Sequence, residues 1–361
     1  MTQEQSLSKT IKVEEFSPNL LVFNQSIGVQ LNRDNNFHLI RFVAASMVLF
    51  SHTFAIMTGN YDREPLRKYL GLNAAELAVD TFFIISGYLV TGSLFHRGKL
   101  SSFLWARILR IYPAVIINSL FCVFFIGILF TSFPIADYLT SSKTYSYLLN
   151  NSLLLKFNIY GYLPGTSIVN ESLWTLHWEI KAYVLLTLLT FIYWRKKEIV
   201  LVTLASFLII LSLINYSFAI FSNPIFMQAL RLGSFFFAGS IIYIYHDRIA
   251  FKLKYLYLSL IAIFLSIILG IFVFSYIILL PYIVISLAYI PKGFIRNFNK
   301  VGDYSYGMYL FAFPIQQSIY HLFPGISIKG MFLSAFVVTL LFAICSWHLI
   351  EKKCLALKTK I

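Results

Sequence analysis

Two stretches, 200–221 and 255–290, are apolar on every helical face. A helix without a polar stripe has no side to turn towards water, so lipid must be the solvent around such segments. The rest of the chain agrees. Only 12% of its residues are charged, against 58% hydrophobic, whereas a soluble domain carries roughly 25% charged residues. That leaves too little polar surface to coat a water-soluble particle. Membrane-spanning strands would alternate apolar and polar residues, and no such alternation is present. The backbone must therefore close its hydrogen bonds within helices. The expected fold is all-α: a polytopic integral membrane bundle of about ten transmembrane helices.

The hydropathy pattern predicts spans near 37–57, 75–95, 112–134, 173–194, 199–220, 226–245, 254–270, 272–290, 303–323 and 330–350. The stretch 254–290 holds two short spans if it bends near Gly270 or Ser275. Residues 148–157 are too few to cross and are expected at the interface or in a re-entrant turn. Three regions follow: a polar cytoplasmic segment over 1–36, a transmembrane domain over 37–351, and a basic cytoplasmic tail over 352–361. Residues 1–36 lack the apolar core and cleavage site of a signal peptide. Cys122, Cys345 and Cys354 have no paired or metal-ligand spacing, so no disulfide framework is expected.

The net charge of +14 does not indicate nucleic acid, because the basic residues are dispersed over short loops between apolar runs. They orient the chain in a bilayer instead. In the ten-span arrangement one side carries 20 Lys and Arg and the other 6, with Arg41, Lys181 and Arg231 inside spans. This asymmetry predicts that both termini are cytoplasmic. The third loop, about 135–172, is then the largest external segment. Its turn-rich stretch 160–165 suits a binding mouth.

Ionisable side chains at membrane depth are costly and call for a reason. Arg41 and His52 are eleven residues apart, about three turns, so they share a face roughly 16 Å apart along the axis. Counted from the span ends, Asp80, Glu179 and Arg231 each lie about five to seven residues deep from the outside. The count gathers His52, Asp80, Glu179 and Arg231 in one outer-half layer. Asp80 is expected beside His52, where a carboxylate fixes an imidazole's tautomer and raises its basicity. Histidine suits proton transfer near neutral pH. Arg107 and Arg110, three apart just before the third span, form a phosphate clamp at the inner mouth. The structural alternatives are a polar network that only holds helices together, and arginines that only anchor the protein. No His, Asp or Glu pair has metal-ligand spacing, so no metal is expected.

Six segments, in order, carry a resemblance. They are RFVAASMVLFSH over 41–52, AVDTFFIISGYLV over 78–90, RILRIYP over 107–113, VNESLWTLHWEIKAY over 169–183, YSYGMYLFAFPIQQ over 304–317 and SWHLIEKKC over 346–354. Together they resemble the membrane-bound acyltransferase-3 family, whose members O-acylate cell-surface sugars and other acceptors. The resemblance runs from about residue 37 to the end of the chain. It departs at Ala312, where the family often has histidine, and at Lys353, where it often has proline. No appended extracytoplasmic domain, which some members carry, is expected here.

The resemblance implies a bacterial plasma (inner) membrane enzyme. Its acyl donor, usually acetyl-coenzyme A (acetyl-CoA), is reached from the cytoplasm. His52 would be the essential base, Arg41, Arg107 and Arg110 would handle the donor, and Asp80 and Glu179 would support the site. Trp174, Ser86 and Arg231 are the candidates for holding the oxyanion and substrate. The acceptor would be a surface glycan or a lipid-linked sugar, with a small hydrophobic acceptor such as a macrolide second. Direct transfer and an acyl-histidine intermediate both remain open. The competing reading of the spans is a transporter or flippase of a glycan or small anionic substrate, against which no half-to-half hydropathy symmetry stands out. Consumption of acetyl-CoA separates the two.

Overall fold

The computed structural model describes residues 34–96, 99–154, 165 and 170–359. Among the described residues ten main helices run alternately up and down: α1 Phe37–Thr58, α2 Ala74–His96, α3 Leu100–Phe121, α4 Trp174–Ile192, α5 Lys197–Phe218, α6 Pro224–Ile244, α7 Leu253–Ile268, α8 Phe272–Tyr289, α9 Ser305–Leu322 and α10 Ile328–Ser346. Among the described residues eight helices are long and apolar enough to cross a membrane. The protein is a polytopic helical membrane bundle. The ends of α1 and α10 that lead to the chain termini lie at one face, called here the terminal face. The 160–165 mouth lies outside the described residues except for Gly165, whose carbonyl accepts from Ser132 N at the far end of the α3 rod.

The spans stand close to their expected positions, with one correction. The third span does not begin at residue 112. Its helix starts at Leu100 and runs through Pro113 and a π-helical turn, Cys122–Gly127, to Phe130. A proline often marks a helix's first turn; here the helix begins well before Pro113, and Arg107 and Arg110 lie within it and line a cavity. The bend near 270 is present: α7 ends at Ile268, and Gly270 takes a left-handed φ of 71° before α8. Residues 142–153 form a helix whose Tyr147 packs with Tyr138 on Cys122 and Val123, beside the α3 rod.

α9 is the central helix, with an unbroken buried run from Ser305 to Gln316. α5, α7 and α10 lie at the periphery and expose Phe207, Ile210, Phe264, Ile268, Leu333 and Val337, as lipid-facing helices do. The tightest pair is α2 with α6. A Cβ on Gly87 would lie 1.8 Å from the Phe236 carbonyl oxygen, and one on Gly239 would lie 2.2 Å from that of Ile84. Small residues at such crossings let backbones touch, and this pair fixes where the polar residues of α2 point. Gly239→Ala is therefore expected to force the two backbones apart and cost ~1–3 kcal/mol or more. A clear fall in the melting temperature of purified protein, absent in Gly325→Ala where a Cβ meets nothing, checks this.

Candidate active site

The polar residues of the helices meet in three places. The first is an ion cluster at the terminal face. Asp303, in the turn before α9, accepts from Arg41 Nη1 at 2.7 Å and Arg110 Nη2 at 2.5 Å. Ser305 Oγ donates to its other oxygen at 2.5 Å. Burial would raise the Asp303 carboxyl, but the guanidinium groups of Arg110 and Arg41 outweigh it and hold it well below the usual carboxylate range. Arg110 also lies 4.0 Å from Glu351 and 5.4 Å from the centre of the Tyr306 ring. Glu351 sits in a second π-helical turn, Trp347–Glu351, and accepts from Ser346 Oγ at 2.9 Å.

From this cluster a cavity extends between α1, α2, α3, α4 and α9, and Arg41, Arg107 and Arg110 all line it. Arg41 and Arg110 are tied to Asp303. Arg107 has no salt bridge among the described residues, and its Nε is buried without a partner. Its guanidinium lies 5.8 Å from the centre of the Phe103 ring and 6.0 Å from that of Tyr183. On the same wall Ser86 Oγ donates to Glu179 Oε1 at 2.9 Å and shares a 2.9 Å hydrogen bond with Tyr183 OH, which also donates to Glu179. Further up, Thr175 and Tyr309 hydroxyls meet at 2.5 Å.

α4 reaches this wall because it does not start at the membrane surface. Asn170, just before it, donates to Asn118 Oδ1 at 2.7 Å and to the Leu310 carbonyl at 2.9 Å. Both partners lie in mid-helix, on α3 and α9. The chain thus enters the bundle before α4 begins, and Glu179 meets Ser86, six residues or ~9 Å deeper along α2 than Asp80. Counting from span ends put Glu179 level with Asp80; this internal start corrects that.

The second place is a clasp between α2, α6 and α8. Asp80 accepts from Arg231 Nε at 2.9 Å and from Tyr276 OH at 2.6 Å. Arg231 Nη2 donates to the Glu76 carbonyl at 3.0 Å. Asp80 does not pair with His52, which corrects the expected carboxylate–imidazole unit. The register explains why. Phe37 meets the Tyr88 ring at 5.7 Å, and Ser51 and Ala74 share one partner, Glu64. In this antiparallel pair His52 is level with residue 73, seven residues or ~10 Å outward of Asp80. Counting from the span ends gives equal depth instead. A clasp has a thermodynamic signature: Asp80→Asn and Arg231→Met should each destabilise, while the double variant costs clearly less than their sum. Thermal melting of the singles and the double measures it.

The third place is His52 itself. It is buried, its Nδ1 has no partner among the described residues, and its ring stands edge-on to Phe313 at 4.8 Å. Phe313 is one turn outward of Tyr309, a cavity-lining residue, and Phe82 joins the strip with its ring 5.7 Å from Tyr309. Gln316, a turn further on, donates to the Leu49 carbonyl and Thr53 Oγ1, both at 2.9 Å. Trp174 packs at the start of α4 against the apolar core and does not line the cavity. Of the nine expected site residues, the cavity gathers Arg41, Ser86, Arg107, Arg110 and Glu179. Asp80 and Arg231 form the clasp. Sequence reasoning missed Asp303, Glu351, Tyr183 and Asn170, although all four lie inside the motifs quoted above or one residue from them.

Among the described residues no group of three or more His, Cys, Asp or Glu is placed to hold a metal. A model of the acyltransferase domain, acyltransferase-3, matches residues 34–350. The chain belongs to the acyltransferase-3 family. It is 29% identical over 345 residues to the O-acetyl transferase of Shigella phage Sf6, covering 90% of this chain and 96% of that protein. It is 38% identical over 86 residues to nodulation protein 10 of Rhizobium leguminosarum bv. viciae, covering 23% of each. No solved structure matches. This acyltransferase-3 chain is thus a multi-pass membrane O-acyltransferase.

Proposed function

We propose that the protein transfers an acetyl group from acetyl-CoA to a hydroxyl of a cell-surface glycan or lipid-linked sugar, with His52 as the general base. The observation that carries this reading is the cavity: three partly buried arginines line its terminal end, one of them without an ionic partner among the described residues, and a buried histidine stands outside its lining, ~16 Å from Arg41 along α1. Coenzyme A has phosphates at one end of a long thin arm and the thioester at the other. Arg107 would take a phosphate, with Arg41 and Arg110 held in place by Asp303. The arm would run along Ser86, Tyr306 and Tyr309, bringing the thioester towards His52.

In the transfer, His52 takes the proton of the acceptor hydroxyl as its oxygen attacks the thioester carbonyl. The carbon–sulfur bond then breaks and the thiol leaves, reprotonated from the imidazolium. Donors facing the developing oxyanion would be the hydroxyl pair of Thr175 and Tyr309, one turn from Phe313 and the imidazole. In this reading the membrane is a bacterial inner membrane, the terminal face is the cytoplasmic one, as the positive-inside asymmetry favours, and the donor enters there and the acceptor from the opposite side. The test is transfer of radiolabelled acetate from acetyl-CoA to glycan in membranes of expressing cells, with mass spectrometry of the product. Release of free coenzyme A in step with O-acetylation is the expected result. Movement of substrate without consumption of acetyl-CoA would overturn the reading.

A further inference from the structure

The segment between α1 and α2 turns back over the His52 end of the bundle, and one acidic side chain holds it there. Glu64 is fully buried. Its Oε2 accepts from Ser51 Oγ at 2.7 Å and its Oε1 accepts from Ala74 N at 2.6 Å. The carboxylate therefore bridges the residue before His52 on α1 and the first residue of α2. Capping α2 does not by itself require Glu64. Asn73 Oδ1 already accepts from Glu76 N at 2.7 Å, and Glu76 Oε2 from Asn73 N at 2.8 Å, a reciprocal capping box. What Glu64 adds is the link across to Ser51. Glu64 N also donates to the Tyr61 carbonyl at 3.0 Å, closing a tight turn. That turn places the Tyr61 ring 6.5 Å from the His52 ring.

We propose that Glu64 is a positioning residue for the transfer reaction: by tying Ser51 to Ala74 it fixes the His52 segment of α1 and holds Tyr61 over the imidazole. The inference rests on His52 being the base only for its kinetic consequence. The placement of the ring is a separate matter and has a readout of its own. Without the bridge the turn loses its anchor, Tyr61 swings away, and the imidazole opens to solvent. Small misplacements of a reacting group lower turnover more than they lower donor affinity.

The test uses the full-length purified protein in lipid nanodiscs. Carbethoxylation of His52 is followed by mass spectrometry, with His246 and His321 as internal controls. Glu64→Ala should raise the His52 rate about fivefold or more relative to the controls, as local opening of a buried site does. Glu64→Gln keeps the shape and offers one acceptor and one donor, which the Ser51 hydroxyl accepts, so its rate should stay within about twofold of the parent. With acetyl-CoA as donor, Glu64→Ala should lower kcat about tenfold while the donor KM stays within about twofold. Ser51→Ala removes the same link from the other side and serves where Glu64→Ala fails to fold. Unchanged His52 reactivity in Glu64→Ala and Ser51→Ala overturns the proposal. If those variants expose His52 but His52→Ala still turns over normally, the positioning stands and the base assignment fails.

Discussion

His52→Ala is expected to remove acyl transfer while leaving insertion and folding nearly intact. The imidazole is buried, yet among the described residues its Nδ1 is not bound to any group. Removing it therefore breaks no hydrogen bond at that atom. What is lost structurally is the edge contact with Phe313 and the looser one with Tyr61, a modest packing defect. What is lost chemically is the base. General-base catalysis contributes about 10²–10⁴-fold, so the variant should fall by that factor when the acceptor hydroxyl is deprotonated in one step. An acyl-histidine route would leave no turnover at all. Product formation from acetyl-CoA, compared at matched protein level in membranes, decides the matter. Near-normal product from the variant would remove His52 from the mechanism.

The second large effect is expected at a residue that spacing did not single out. Asp303→Ala should destabilise the protein by up to about 3–5 kcal/mol, because it leaves two partly buried guanidinium groups, Arg41 and Arg110, without their shared carboxylate. Glu351, 4.0 Å from Arg110, compensates poorly. The pH dependence follows from the sign of the shift. Asp303 is held well below its ordinary value. Its contribution is therefore fully present above the unfolded value of about 3.9 and is lost only as the pH falls through the much lower folded value. Mild acid should thus leave the cluster intact. In the enzyme assay the same variant should weaken acetyl-CoA use, since the arginines lose the anchor that aims them into the cavity. Thermal melting and an acetyl-CoA titration measure the two effects. A variant with unchanged melting temperature and donor affinity would show the cluster to be dispensable.

Much of this protein is legible in its local sequence. Lipid is apolar, so helices in it are written as long apolar runs, and eight of the ten main helices among the described residues follow that pattern. The arginine–histidine spacing on α1 needs only the rise of a helix. The serine and glycine of the 78–90 segment also find a physical account: Gly87 is where α2 touches α6, and Ser86, one residue earlier, faces the cavity. The resemblance to the acyltransferase-3 family rests on such local strings, and the matches to known proteins agree with it.

Pairing across helices was not legible. Asp80 and His52 seemed level because their depths were counted from loop ends. The α1–α2 register, read from Phe37 against Tyr88 and from the Glu64 bridge, separates them by ~10 Å. Glu179 seemed to share that depth, but α4 begins inside the bundle, held by Asn170 to α3 and α9. Hydropathy puts Arg107 and Arg110 just before the third span, but the α3 helix starts at Leu100 and already runs through them. The sequence by itself thus determined the solvent, the all-helical class and the chemical type of each buried group. Those follow from side-chain hydropathy and a fixed rise per residue. Only the tertiary structure decided which polar groups meet. That depends on helix register and internal start points, which are set by contacts between residues far apart in the chain, such as Gly239 on Ile84 and Asp303 between Arg41 and Arg110.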